Sequence, residues 1–426
     1  MIHLYPKRKQ VVFGLGVVTL IYALLMPDRR LMLTNYWHLL MHQTYLMHDA
    51  FEIAGLSATF LNVALHFFVA FYLMSRNERS NLSGLQMAAL GIFVGHAFFG
   101  THIINILPII AGVVLYAHWT HQSYKLYTTI SLFATATAPI VSYVLLTPSL
   151  SFFSVITALG MGLFLGFIAP PLAEQFLKFH HGLTLYNFGF TTGIIAMFIV
   201  AMFPYFKAQV PTQSLISQQY HVYLVGYVCL MLILLALLLW NHWRDAFSLY
   251  KNLLDSSGHV PDDFVSKFGI YPTLLNMILT TGLFLGIVLA LRFPFNGTTV
   301  GGLSSIAGFS AFGKHVRNAT PVAIGVTIAT LLLGNSLVDQ RFVITLLFGT
   351  ALSPIAGFYG VGYGILAGFL HYNLTVQVFP LHQGMGLYNN GFSSGFVAAF
   401  LVPIIDTFQD FNQQHIRRWI HAIRKK

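Results

Sequence analysis

Residues 95–112, GHAFFGTHIINILPIIAG, return as residues 308–325, GFSAFGKHVRNATPVAIG, so any fold for this chain must use that segment twice. Gly95, Phe99, Gly100, His102, Asn105, Pro108 and Gly112 recur as Gly308, Phe312, Gly313, His315, Asn318, Pro321 and Gly325, always 213 positions on. Further along, HHGLTLYNFGFTTG at 180–193 returns as HQGMGLYNNGFSSG at 382–395, at an offset of 202. Upstream, Asp49, Gly55 and Asn62 match Asp263, Gly269 and Asn276 at an offset of 214. Three separated blocks in one order are the mark of an internal duplication.

The medium in which the duplicated unit folds follows from charge. Of the 426 residues 56% are hydrophobic and only 8% charged, with a mean hydropathy of +0.71. A soluble domain carries about a quarter charged residues, so most of this outer surface faces lipid. Apolar runs broken at Pro, Gly, Asn and charged clusters give about fourteen candidate spans of the length a bilayer demands, from 10–26 and 53–74 to 361–374 and 391–408. No small-residue cleavage site follows the first run, which is read as a retained helix. The net charge of +10 sits in the connections and in the tail Arg417, Arg418, Arg424, Lys425 and Lys426. That is a membrane-orientation pattern and argues against nucleic acid as a partner. The single cysteine, Cys229, excludes a disulfide framework.

The expected architecture is therefore an all-α integral membrane protein of about fourteen transmembrane helices, in two seven-span repeats, 1–215 and 216–426. A polar junction loop, 242–269, follows the first span of the second repeat. Seven is odd, so the second repeat is expected to be inverted. With both termini cytoplasmic, all but five of the 22 lysines and arginines fall inside; the five are Arg29, Arg30, Lys207, Arg292 and Arg341. This is the asymmetry of the positive-inside rule. The expected location is a bacterial plasma membrane.

Inverted repeats with broken or re-entrant helices place solute sites near the midplane, where matching discontinuous segments meet. Two pairs of such segments stand out. The first is GTHIINILP and GKHVRNATP, with structural breaks at Gly100, Pro108, Gly313 and Pro321. Freed backbone there must find partners inside lipid, and His102, Asn105, His315 and Asn318 can supply them or bind a solute. The second copy adds Lys314 and Arg317 where the first has Thr101 and Ile104, which points to an anionic solute; the plainer reading is a turn anchored by basic residues. The second pair, LYNFGFTTG and LYNNGFSSG, offers Tyr186, Asn187, Tyr388 and Asn389 as solute ligands. Gly189, Gly193, Gly391 and Gly395 have the small-xxx-small spacing of close helix packing. His38, His42 and His48 lack an accompanying carboxylate cluster, so the stretch with Tyr36, Trp37 and Tyr45 reads as interfacial rather than as a metal site. No metal, cofactor or catalytic residue is expected.

At the Gly–His–Asn–Pro and Leu–Tyr–Asn–x–Gly–Phe blocks the chain resembles an uncharacterised family of bacterial membrane proteins, domain-of-unknown-function family 1576, described by a region occurring twice. The likeness covers nearly the whole chain and implies no activity. In span count alone the chain is similar to the seven-plus-seven inverted-repeat carriers of nucleobases and inorganic anions; none of their motifs is present. The functional expectation is a transporter or permease for a small polar, plausibly anionic, solute. Its partners are the lipid bilayer and that solute, and a homo-oligomer is compatible with the sequence. The rivals are a membrane-embedded histidine- or metal-dependent enzyme and a non-transporting scaffold or sensor.

Overall fold

The computed structural model describes residues 8–75, 82–206, 210 and 214–423. Lys7, Arg76, Arg79, Lys207, Arg424, Lys425 and Lys426, which entered the charge count, lie outside the described residues. The first unit contains α1 (Arg8–Leu25), α2 (Met32–Leu40), α3 (Ala50–Ser75), α4 (Gly84–His96), α5 (Ile103–Trp119), α6 (Thr128–Ala134), α7 (Ala138–Leu146), α8 (Phe152–Phe179) and α9 (Asn187–Met202). The second contains α10 (His221–Leu239), α11 (Trp243–Leu254), α12 (Phe264–Phe268), α13 (Ile270–Ala290), α14 (Gly297–Phe309), α15 (Val316–Leu332), α16 (Gln340–Gly349), α17 (Ser353–Tyr359), α18 (Val361–His382) and α19 (Asn389–Ile423).

The chain is a multi-pass helical membrane protein. Eight helices among the described residues are long and apolar enough to cross a bilayer, or nine if Gln10–Leu25 and Arg29–Leu40, bent by 110°, form one broken span. The helices α4, α5 and α15 are apolar but shorter. They flank the Gly–His–Asn–Pro breaks and fall short of the length expected of full spans there. The junction expected as a loop, 242–269, instead holds α11 and α12. Along α11 Ala246 and Leu253 are buried while Arg244, Asp245, Ser248 and Lys251 are exposed. One narrow apolar stripe suffices to dock such a helix.

Equivalent helices pack alike within each copy. In the first, α5 meets α8 where a Cβ on Gly162 would lie 2.4 Å from Pro108 Cβ and one on Gly166 1.9 Å from Ile109 O. In the second, α15 meets α18 where a Cβ on Gly364 would lie 3.0 Å from Pro321 Cβ and one on Gly368 2.0 Å from Val322 O. The in-helix prolines Pro108 and Pro321 thus sit against glycines, a flat surface that lets two backbones approach closely.

The copies are joined through α4 and α14. Gly84 backs onto Ala311, Gly91 onto Ser304 and Gly308, and Gly95 onto Gly301. Numbering rises along one helix as it falls along the other, so the two equivalent helices run antiparallel. Each is also capped by the other copy. Asp263 Oδ2 accepts from Gly84 N–H at 2.8 Å, and Asp49 Oδ2 accepts from Gly297 N–H at 3.0 Å. A carboxylate at a helix N-terminus satisfies an otherwise orphaned donor and opposes the positive end of the dipole. Beside each cap a short antiparallel pairing joins Asp49 to Phe99 and Asp263 to Phe312.

Candidate functional site

Each Gly–His–Asn–Pro break closes by the same hydrogen bonds. The chain leaves α4 or α14 through a glycine at φ +90° (Gly100) or +89° (Gly313), a left-handed conformation that residues with a Cβ rarely adopt. It resumes in α5 or α15 after an extended histidine. Asn105 Oδ1 accepts from His102 N–H at 2.9 Å, and its Nδ2 donates to Gly100 O at 3.1 Å and Ser142 Oγ at 2.8 Å. Asn318 repeats this with His315 N–H at 2.9 Å and Gly313 O at 2.9 Å. From α3 Asn62 Nδ2 reaches Ala97 O and Thr101 O, both at 2.8 Å, and from α13 Asn276 Nδ2 reaches Ser310 O and Lys314 O, both at 2.7 Å. The four asparagines therefore satisfy backbone that the broken helices release, as an apolar medium requires. His315 Nε2 bonds Ser256 O at 2.9 Å; His102 Nε2 lies 3.2 Å from Ser142 Oγ, and its Nδ1 has no hydrogen-bond partner.

The Leu–Tyr–Asn segments are held in a like way. His180 Nε2 pairs with Asn187 Oδ1 at 2.9 Å, and Asn187 Nδ2 donates to Ala173 O at 2.9 Å. His382 pairs with Asn389 at 2.8 Å, and Asn389 donates to Thr375 O at 3.2 Å. Both segments then cross into the opposite copy. Leu185 N–H donates to Ala351 O at 2.9 Å, and Leu387 N–H donates to Ala136 O at 3.0 Å. The starts of α9 and α19 meet where a Cβ on Gly189 would lie 2.6 Å from Gly391 Cα. Gly193 packs on Phe392 and Gly395 on Phe190. Close packing accounts for all four glycines.

Between these clamps the structure gathers a cluster that the clamps do not consume. The rings of Tyr186 and Tyr388, equivalent residues of the two copies, meet edge to face at 5.4 Å. Tyr186 OH lies 2.5 Å from Ser305 Oγ, and Lys314 Nζ lies 3.4 Å from Tyr186 OH, 2.7 Å from Thr350 Oγ1 and 5.3 Å from the Tyr186 ring centroid. Lys314 is 0% exposed, and no carboxylate among the described residues forms an ion pair with it. The ring of His96 stands edge to face against Tyr388 at 4.8 Å. Both His96 ring nitrogens and Tyr388 OH are buried without a hydrogen-bond partner. Burying an ammonium without a counter-charge costs several kcal/mol, by order of magnitude, and each orphaned donor about 1–3 kcal/mol. Such costs mark functional positions inside a membrane.

Of the residues singled out from sequence, Lys314, Tyr186 and Tyr388 come together in this cluster. Asn105, Asn318, Asn187, Asn389 and His315 are spent on backbone or on one another. Arg317 lies apart: its exposed guanidinium pairs with the exposed Asp255. Lys314 is enclosed by α14, Thr350 and Tyr186, because the break in which it lies is buried between the copies. His96, Ser305 and Thr350 were not anticipated. For His96 and Ser305 the signal was a difference between the copies, Phe309 and Ile92 standing at the matching positions, whereas Thr350 has an equivalent threonine, Thr135. No group of three or more His, Cys, Asp or Glu side chains among the described residues could hold a metal ion.

Fold and cluster define a duplicated, polytopic helical membrane protein with buried polar chemistry between its two copies. The chain belongs to the family described as "Protein of unknown function (DUF1576)", whose model matches it twice, over residues 29–205 and 243–407. Neither the curated proteins nor the solved structures give a match to it.

Proposed function

We propose that this protein is a secondary transporter or permease for a small polar solute, built from two seven-segment repeats of opposite orientation, and that the solute site lies on their interface. With the short apolar helices α4, α5 and α15 counted, and α14 and α18 taken as the equivalents of α4 and α8, each repeat would hold α1, α3, α4, α5, α6–α7, α8 and α9 or their counterparts. The antiparallel contact of α4 with α14 supports the inversion without any count of crossings. The reciprocal caps and the contact of Gly189 with its own equivalent, Gly391, support a twofold relation between the copies. A pseudo-twofold axis in the membrane plane would pass through both contacts.

The observation that carries the functional reading is Lys314, buried without a carboxylate at this interface. A structural scaffold gains nothing from a lysine buried without a counter-charge, whereas a carrier of anions uses one, and alternating access moves one repeat against the other around such a fixed point. The packing is consistent with rocking, because the glycine-lined α4–α14 and α9–α19 contacts are smooth. Reconstitution of the purified chain in liposomes tests the reading. Saturable uptake of at least one member of a panel of small carboxylates, inorganic anions and neutral polar solutes, above that of empty liposomes, is the expected result. A panel that stays outside contradicts it.

A further inference from the structure

We infer that the interface cluster is a binding site for a compact anion of single negative charge, such as a monocarboxylate, with Lys314 as its cation and Tyr388 OH and His96 as neutral hydrogen-bonding groups. This rests on the proposed reading that the interface holds the solute site, and it names the class of solute.

The duplication supplies an internal control. At the position of Lys314 the first copy has Thr101, whose Oγ1 bonds His66 Nε2 at 3.0 Å, so the fold closes the same break without a lysine. At the position of His96 the second copy has Phe309, which packs on Tyr186 at 4.6 Å as His96 packs on Tyr388. An aromatic slot that Phe309 fills completely does not require the two unpartnered nitrogens of His96. Packing therefore dictates neither Lys314 nor His96, and both border the Tyr186–Tyr388 pair.

Charge sets the class. An ammonium has three hydrogens; two are directed at Thr350 Oγ1 and Tyr186 OH, and one remains for a ligand. The acidic residues that start the neighbouring segments are committed elsewhere. Asp263 accepts from the N–H groups of Gly84, Leu85 and Ser266, and Asp49 from those of Phe51, Gly297 and Ser217. One positive charge in a low-dielectric site balances one negative charge, and a dianion would leave one charge unpaired. The rings of Phe309 and Tyr186 beside Lys314, and of Tyr388 against Tyr186, contribute no further charge.

The test uses the purified full-length protein and its thermal unfolding midpoint in sodium formate, acetate, lactate and nitrate, against sulfate and succinate at matched ionic strength. At least one monoanion is expected to raise the midpoint as ligand binding demands, and the dianions are not. The variants Lys314→Thr and His96→Phe copy the residues that the other repeat already uses. Lys314→Thr is expected to abolish the monoanion shift, and His96→Phe to weaken the apparent affinity about tenfold, the size of one lost hydrogen bond. If Lys314→Thr does not accumulate, His96→Phe decides: weakened affinity supports the site and unchanged affinity overturns it. A dianion shift equal to the monoanion shift, or no monoanion response that these variants alter, also overturns it. A Lys314-dependent shift without flux in liposomes would uphold the site and refute transport. Flux indifferent to Lys314→Thr would do the reverse.

Discussion

Asp49, in the first copy, caps the helix that begins at Gly297 in the second, 3.0 Å from its N–H, and Asp263 returns the same bond to Gly84 at 2.8 Å. Ser83 and Asn296 cap the two helices locally, but the first N–H of each is taken by the other copy. Each copy therefore supplies the other with an acceptor at a helix start, buried at Gly297 and partly buried at Gly84.

Removing a cap should consequently loosen the whole protein. Asp49→Ala leaves the N–H groups of Phe51, Gly297 and Ser217 without their acceptor. A lost cap typically costs about 0.5–2 kcal/mol, and burial places this one at or above the upper end. Asp49→Asn keeps an acceptor oxygen and should cost less. Thermal unfolding of the purified variants checks the order wild type, Asn, Ala; an Ala variant as stable as wild type would show that the cap contributes nothing.

The glycines at the crossings should tolerate no growth, unlike glycines elsewhere. A Cβ on Gly189 would stand 2.6 Å from Gly391 Cα, while one on Gly282, in α13, would meet nothing within 4 Å. Gly189→Ala should destabilise by about 1–3 kcal/mol through overpacking. Gly282→Ala should be neutral or stabilising by up to about 1 kcal/mol through helix propensity. Expression level and unfolding midpoint compare the two, and equal behaviour would remove the α9–α19 crossing from the account.

Arg317 should be dispensable where Lys314 is not. Its pair with Asp255 is exposed on both sides, and exposed pairs contribute about 0–1 kcal/mol. Arg317→Gln should shift the unfolding midpoint little and leave any monoanion stabilisation at its wild-type size. A lost anion response in this variant would place the cation of the site at Arg317.

Much of this was legible in the sequence, for a physical reason. A duplicated segment keeps the residues that its backbone demands, so Gly100 and Gly313, Asn105 and Asn318, and Asn187 and Asn389 announced themselves by recurring. Recurrence, however, reports what both copies need to fold. Asn105 and Asn318 were open to two readings, solute ligand or partner of freed backbone, and Asn187 and Asn389 were offered as ligands; all four hydrogen-bond backbone, as a broken helix in an apolar medium requires. The cluster sits where the copies disagree, at Lys314 against Thr101 and His96 against Phe309, and such differences look like noise until packing shows that both slots are buried on one interface. The helix α11 was missed because its apolar stripe rests on two buried residues, Ala246 and Leu253, too few to stand out within a polar stretch.

The opposite orientation of the two copies is the claim on which the transport reading rests, and side-specific labelling tests it most directly. Gln122, in the exposed turn after α5, and Ser336, in the equivalent exposed turn after α15, are suitable positions. With Cys229 replaced by Ser, single cysteines at these two sites should react with a membrane-impermeant maleimide from opposite faces of the membrane. Labelling of Gln122→Cys and Ser336→Cys from the same face would contradict the inverted repeat and the transport reading built on it.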